Sequence, residues 1–228
     1  MSSAKERLTF KNVNKVVLAG MLVVAVAIGI LSFSFANKTE SGILNIGKTA
    51  PLQEMKMKDV SGEAISLKTI AKKNGVLVIF TSNLCPFVVG NGARSEGWEG
   101  RYPEIYNLAS KSDIGMVLVN SNEAARDRGE SMDDMKRHYK EKGYLGYLAL
   151  DANHELADAF GALTTPHVFL FDEDMKLIYR GLIDDAVDSS KAVKEPYLKN
   201  AIAAHLAGNE IKPNSTRQIG CSIKRVKK

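Results

Sequence analysis

Two thiols and one hydroxyl define the chemistry open to this chain. Cys85 stands in the run Ser82-Asn83-Leu84-Cys85-Pro86, just after the apolar stretch Val76-Leu77-Val78-Ile79-Phe80. A continuous apolar run of that kind reads as a strand buried on both faces. Pro86 suits the first turn of a helix, where it has no N–H to lose. Cys85 is therefore expected between a buried strand and the mouth of a helix. Backbone N–H groups there lack partners and carry partial positive charge, which favours thiolate, the nucleophilic form of cysteine. The alternative is a buried, inert cysteine. Ser82, three residues earlier, either hydrogen-bonds the thiolate or its substrate, or caps the helix. The other cysteine, Cys221, lies in a basic, Gly-containing tail where mobility is expected. It could reach Cys85 and close a disulfide, because loop-closure cost grows only logarithmically with length. A permanent structural disulfide and pairing between molecules are the competing readings.

Two cysteines are too few for a disulfide scaffold or a four-thiolate zinc site. His138, His154, His167 and His205 show no metal-ligand spacing, so no metal site is expected. No cofactor is implied either.

The elements that must position these groups follow from pattern. Met55 to Lys58 alternates and is followed by the turn residues Ser61-Gly62, which predicts a short hairpin. Ser66 predicts a capped short helix from Leu67 to Lys73, closed by Asn74-Gly75. Met116 to Val119 predicts a second buried strand, and Met132, Met135 and Tyr139 repeat at helical spacing. Tyr147 to Leu150 and Val168 to Phe171 are further strands. Asp172-Glu173-Asp174 turns the chain into an alternating edge strand, Lys176 to Arg180, and Tyr197 to Ala207 predicts a last amphipathic helix. Strands alternating with helices, then a hairpin and a helix, describe an α/β layered fold. Trp98, flanked by Glu96 and Glu99, is expected to cap the sheet or line the site entrance.

The net charge of +5 is carried largely by the two ends, so the middle is near neutral. A nucleic-acid surface needs a basic stripe across the folded body, and none is visible. Residues 16–36 carry no charge, and 21 residues of helix span roughly 31 Å, about the thickness of a hydrocarbon core. The basic flank before this stretch, residues 1–15, predicts a cytoplasmic N-terminus and a translocated body. The segment is either an uncleaved signal anchor or a signal peptide cut after Ala36. The expected location is a single-pass membrane protein with its domain extracytoplasmic (periplasmic in a bacterium), or a secreted protein if the segment is cut. Either placement permits disulfide chemistry.

Several segments in order carry a family resemblance. Phe80 to Val88 resembles the active-site segment of the redoxin, or peroxiredoxin-like, branch of the thioredoxin superfamily. Val119-Asn120-Ser121-Asn122 is similar to its next strand end, and Thr164-Thr165-Pro166-His167-Val168-Phe169-Leu170-Phe171-Asp172 to its cis-proline segment. Leu177 to Asp185 and Ile219 to Lys224 resemble its closing segments. The resemblance implies an α/β thioredoxin-like fold, a central mixed sheet flanked by helices, here after one N-terminal transmembrane helix. The organisation is a linker at 37–46, a redoxin domain at 47–210 and a basic Cys-containing tail at 211–228. Pro166 is implied to be cis and to face Cys85, with Pro86, Thr165 and Pro166 against the substrate; a plain loop proline is the bland alternative.

Two departures matter. Many relatives carry Cys-x-x-Cys-Pro where this chain has Ser82 to Pro86, so one thiol of that pair is missing. The arrangement is similar to the Thr-x-x-Cys-Pro of peroxiredoxins, with Ser82 for the threonine and Cys85 for the peroxide-attacking cysteine. Peroxiredoxins also place an arginine where this chain has Pro166; Arg94 and Arg180 are the substitutes in view. The resemblance implies a membrane-anchored thiol oxidoreductase in which Cys85 attacks peroxide or a disulfide, Cys221 resolves the product and a thiol reductant restores it. A non-catalytic thioredoxin-fold binding module and a thiol-dependent assembly factor for extracytoplasmic proteins are the alternatives.

Overall fold

Alternation inside the buried strands sets the architecture. The computed structural model describes residues 42–227; the apolar segment 16–36 lies outside them. The strands are β1 (Met57–Asp59), β2 (Ala64–Ile65), β3 (Val76–Thr81), β4 (Gly115–Asn120), β5 (Tyr147–Leu150), β6 (Thr164–Thr165), β7 (His167–Phe171), β8 (Leu177–Gly181) and β9 (Cys221–Ser222). The helices are α1 (Leu67–Ile70), α2 (Pro86–Val89), α3 (Tyr102–Lys111), α4 (Met132–Glu141), α5 (Glu155–Phe160) and α6 (Tyr197–Leu206). Among the described residues, β2-β1-β5-β4-β3-β7-β8 form one mixed sheet and β6-β9 a separate pair.

Side chains of a strand point alternately to opposite faces. In β3, Leu77 and Ile79 join one core with Val88, Trp98, Ile105, Met135 and Leu198, from α2, α3, α4, α6 and a loop. Val76, Val78 and Phe80 join the other, with α1 and α5. Helices therefore cover both faces, and every residue of β3 and β4 is buried. On the second face Phe160 meets Phe80, Phe169 and Phe171 edge-on, at centroid separations of 5.6, 5.1 and 5.4 Å. Such pairs contribute about 0.5–1.5 kcal/mol each beyond burial.

Local signals behave as expected at several points. Ser66 caps α1 in a capping box with Thr69, and Ser131 caps α4 with Asp134. Helix α1 stops at Ile70 rather than Lys73, because Ala71 leaves helical geometry and Lys72 bridges back to Gly75. Helices α3 and α5 were not foreseen. In α3 the signal was present, with Pro103 in the first turn and Tyr102, Ile105 and Ala109 buried along one face.

The tail is the main difference. Mobility was expected beyond α6, yet Cys221–Ser222 pair antiparallel with Thr164–Thr165. Ile223 is buried in the second core, and Arg225 Nε meets Asp158 Oδ1 at 2.8 Å. One buried isoleucine and a run of backbone partners outweigh the tail's polar composition.

Candidate active site

Strand register brings the two halves of the site together. β7 runs antiparallel to β3 with Phe80 opposite His167, so the chain leaving β3 meets the chain entering β7. The first carries Ser82 to Cys85; the second carries Thr165 and Pro166. The Thr165–Pro166 peptide bond is cis. Cys85 is the N-cap of α2 and Pro86 occupies its first turn. The Cys85 thiol is 3% exposed and donates a hydrogen bond to the Thr165 carbonyl oxygen at 3.0 Å.

Ser82 does not cap the helix, and its hydroxyl does not bond the sulfur. Its oxygen accepts the N–H groups of Leu84 and Cys85, both at 3.1 Å, and thereby folds the loop that presents the thiol. Its proton is donated to Glu130 Oε1. Glu130, 1% exposed, also takes the Asn83 N–H at 3.0 Å and the Asn120 amide at 2.5 Å on Oε2. Asn120 is reached because β4 pairs parallel with β3, Thr81 opposite Asn120. Asn122 then donates to the Thr81 carbonyl at 3.2 Å. Arg126 locks the underside through the Asn120 and Glu130 carbonyl oxygens, at 2.8 and 2.7 Å. Asn122 closes the segment Val119 to Asn122 that carries part of the family resemblance, whereas Glu130 and Arg126 are not singled out by the sequence. Nothing local marks them; they become neighbours of Ser82 only through the parallel pairing of β4.

Ser82, where the resemblance places the missing cysteine of the pair, lies ahead of the helix. The residue three positions into the helix after Cys85 is Val88, fully buried. The second thiol beside Cys85 comes from the tail. Cys221 faces Thr165 in the β6–β9 pair. It shares with Cys85 a cavity of about 300 Å³, also bordered by Leu84, Ala125, Arg128 and Lys224. Both cysteines are free thiols. Burial, and then the Cys85 side chain beside it, push the Cys221 thiol up to about 11. Gly220 packs so closely on the Thr165 carbonyl that an added Cβ would overlap it.

Neither Arg94 nor Arg180, the two candidate substitutes, lines the cavity. Arg180 donates from Nη1 to the Ile43 and Leu44 carbonyls at 2.9 and 2.5 Å. Arg94 is exposed in a short 3₁₀ turn, Gly92–Arg94. Trp98 does not line the cavity; it packs over one face of the sheet with Leu77 and Ile79. It is buried behind α2, its Nε1 donating to Asp184 Oδ1 at 2.8 Å, and its backbone N–H to the Phe87 carbonyl at 3.0 Å. His167, next to Pro166, is pushed down to about 3 by burial and by the Arg180 charge, so it is neutral at ordinary pH.

What this arrangement can do is two-electron sulfur chemistry. Two thiols share a cavity beside a carbonyl-lined strand, and a disulfide between them would replace the Cys85 hydrogen bond to Thr165.

Comparisons with known proteins identify the fold and the family. An uncharacterized conserved protein from Geobacillus kaustophilus superposes with a TM-score of 0.72 at 28% identity, over 82% of this chain and 95% of its own. A hypothetical protein from Sinorhizobium meliloti 1021 gives 0.72 at 29% identity, over 84% and 100%. Peroxidoxin BcpB from Mycobacterium tuberculosis shares the fold at a TM-score of 0.50 and 15% identity, over 72% and 97%. No curated protein matches. The model of the Redoxin family matches residues 45–195, most of the chain, leaving Cys221 beyond the matched segment. By that match the chain belongs to the Redoxin family and is an oxidoreductase on a thioredoxin-like α/β fold.

Proposed function

We propose that the protein is a two-cysteine thiol oxidoreductase in which Cys85 is the attacking sulfur and Cys221 its partner. The observation that carries this reading is the shared cavity: the antiparallel register of Thr165 with Cys221 sets the second thiol beside Cys85. Cys85 thiolate attacks a sulfur of a substrate disulfide, giving a mixed disulfide and releasing one thiolate. Cys221 loses its proton and attacks Cys85 Sγ, forming the Cys85–Cys221 disulfide and releasing the second thiolate. With a peroxide the first step gives a sulfenic acid and an alcohol or water, and the second releases water. Two features favour disulfide exchange. The Ser82 hydroxyl proton is given to Glu130 rather than held toward the sulfur, and Arg126 and Arg180 are committed to backbone carbonyls. A thiol reductant returns the pair to dithiol. Thr165 lines the cavity and is assigned to the substrate wall; Pro86 and Pro166, expected there from the sequence, are not among the residues that border the cavity.

The uncharged segment 16–36 and its basic flank support a membrane anchor with the domain on the extracytoplasmic side. Ser82 acts as a positioning residue through the two amides it holds.

The test is peptide mapping under non-reducing conditions after titration with a disulfide or with peroxide. The expected product is one Cys85–Cys221 link. Cys221→Ser should stop at a mixed disulfide or sulfenic acid on Cys85, and Cys85→Ser should abolish turnover. Two thiols still free after either oxidant would refute the proposal.

A further inference from the structure

An extended polypeptide is recognised beside a strand by adding to its free N–H and C=O groups. Next to Cys85 that edge is already occupied. Thr164 and Thr165 pair with Ser222 and Cys221 of the chain's own tail. The tail is fastened on both sides of this pair. The Ile223 N–H donates to the Leu163 carbonyl at 3.0 Å, and the Lys224 N–H to Asn122 Oδ1 at 3.0 Å. The Ala124 N–H in turn donates to the Lys224 carbonyl at 2.9 Å. Gly220 makes the close approach to Thr165 possible. The tail thus lies where a cysteine-containing polypeptide would lie, its own cysteine in register.

What remains open toward Cys85 is the cavity of about 300 Å³. That is near the lower end for sites that enclose a small molecule. Its walls combine apolar groups, Ala125 and the half-exposed Leu84, with two cations, Arg128 and Lys224. Arg128 lies 3.6 Å from the exposed Asp127 carboxylate and donates to the Ala124 carbonyl at 2.5 Å; Lys224 forms no ion pair among the described residues. The one carboxylate in the lining, Glu130, has its oxygens taken by Ser82, Asn83 and Asn120. The cavity lining therefore carries two cations against one buried carboxylate, a small net positive charge.

We infer that the substrate is a small disulfide with an apolar body and a carboxylate, and that the tail strand shuts out extended polypeptides. This rests on the reading of Cys85 as the attacking sulfur. The balance is that of exchange: the substrate S–S bond breaks, its two sulfurs leave as thiols having gained two electrons, and Cys85 and Cys221 become a disulfide. A small thiol or a dithiol protein supplies the electrons for the next cycle.

The test uses the full, reduced chain and four disulfides: dithiodipropionate (anionic), hydroxyethyl disulfide (neutral), cystamine (cationic) and insulin (polypeptide). Thiol release should be about tenfold faster for the anion than for the cation at low salt, the gap closing as salt rises. Insulin should be slower than the neutral compound by about tenfold or more. Arg128→Ala with Lys224→Ala should bring the anion-to-neutral ratio close to one. Equal rates across the three charges, or insulin turned over as fast as the small compounds, would overturn the inference. A second arm does not depend on turnover. Cys85 alkylation by iodoacetate relative to iodoacetamide, read by peptide mapping, should fall several-fold in the double variant. If no disulfide reacts, the substrate inference fails; the two-cysteine reading fails with it only if peroxide also leaves both thiols free, and an unchanged alkylation ratio would sink the charge inference separately.

Discussion

Cys221 is held in its protonated form by burial and by the sulfur next to it, with a value of about 11. Its thiolate fraction, and so its alkylation rate, should rise about tenfold per pH unit up to that value. Replacing Cys85 by Ser removes the second cause and leaves the first. The inflection of a pH series of Cys221 alkylation should then move down toward the free-thiol value of ~8.5 without reaching it. On the proposed mechanism, a thiol held protonated as Cys221 is suited to act second, once Cys85 has been consumed in a mixed disulfide. Glu130 belongs at this scale as well. Its carboxylate takes three donors in a buried place, so Glu130→Ala leaves the Ser82 hydroxyl, the Asn83 amide and the Asn120 amide group without acceptors. Denaturant unfolding should show a loss of about 3 kcal/mol, and Glu130→Gln, which retains one acceptor oxygen, should lose less. Cys85, Ser82 and Pro166 could be picked from the sequence, because strand, proline and turn signals sit beside them. Glu130 could not. Its partnership with Ser82 depends on β4 lying parallel to β3, and no spacing along the chain encodes that.

Among the elements, β3, α2 and β7 were legible because each has a strong local pattern: an unbroken apolar run, a proline at a helix start and a second apolar run after Thr-Pro. The β6–β9 pair was not. Two strands of two residues have no periodicity, and Cys221 is fixed by partners far away in the chain: Thr165, Leu163 and Asn122. Gly220 offers the sharpest probe of that pairing. A methyl group there would strike the Thr165 carbonyl, the same oxygen that accepts the Cys85 thiol proton. Gly220→Ala should therefore push the tail off β6 and slow Cys85–Cys221 disulfide formation by about tenfold or more, since misplacement of about 1 Å can cost a hundredfold in an intramolecular step. Quenched-oxidation mapping would measure it. A rate equal to wild type would mean that the tail is not held where β9 sits.

For the molecule as a whole, His167 links the site to acid stability. Burial and Arg180 lower its folded value to about 3, against ~6.5 in an unfolded chain. Below 6.5 the unfolded state takes up a proton that the folded state refuses, so stability is complete above 6.5 and declines as pH falls toward 3. Between pH 6.5 and 5 most carboxylates are still ionised, which isolates the histidine. His167→Gln should flatten the fall in unfolding free energy across that window; an unchanged slope would assign the acid sensitivity to other groups. At the same scale, the proposed anchor predicts that the full chain sediments with membranes and that deletion of residues 1–36 releases a soluble, redox-competent domain. Fractionation with a protease-protection assay checks both the anchor and the side on which the domain lies. The layered α/β class could be read from the order of strands and helices. The closing of the fold by its tail could not, since a polar, basic stretch with three scattered isoleucines carries no periodic signal.

The seating of β9 on β6 also orders events in time. A nascent chain that has emerged as far as β8 already has the strands needed to place Cys85 beside Thr165, but nothing stands opposite its sulfur. On the proposed mechanism, the reactive pair comes into being only once β9 has been made and has paired with β6. A chain halted during synthesis or clipped near its end would carry one thiol with no partner of its own, open to whatever thiol it met first. On that mechanism, the arrival of Cys221 beside Cys85 is what turns a trap into a catalyst.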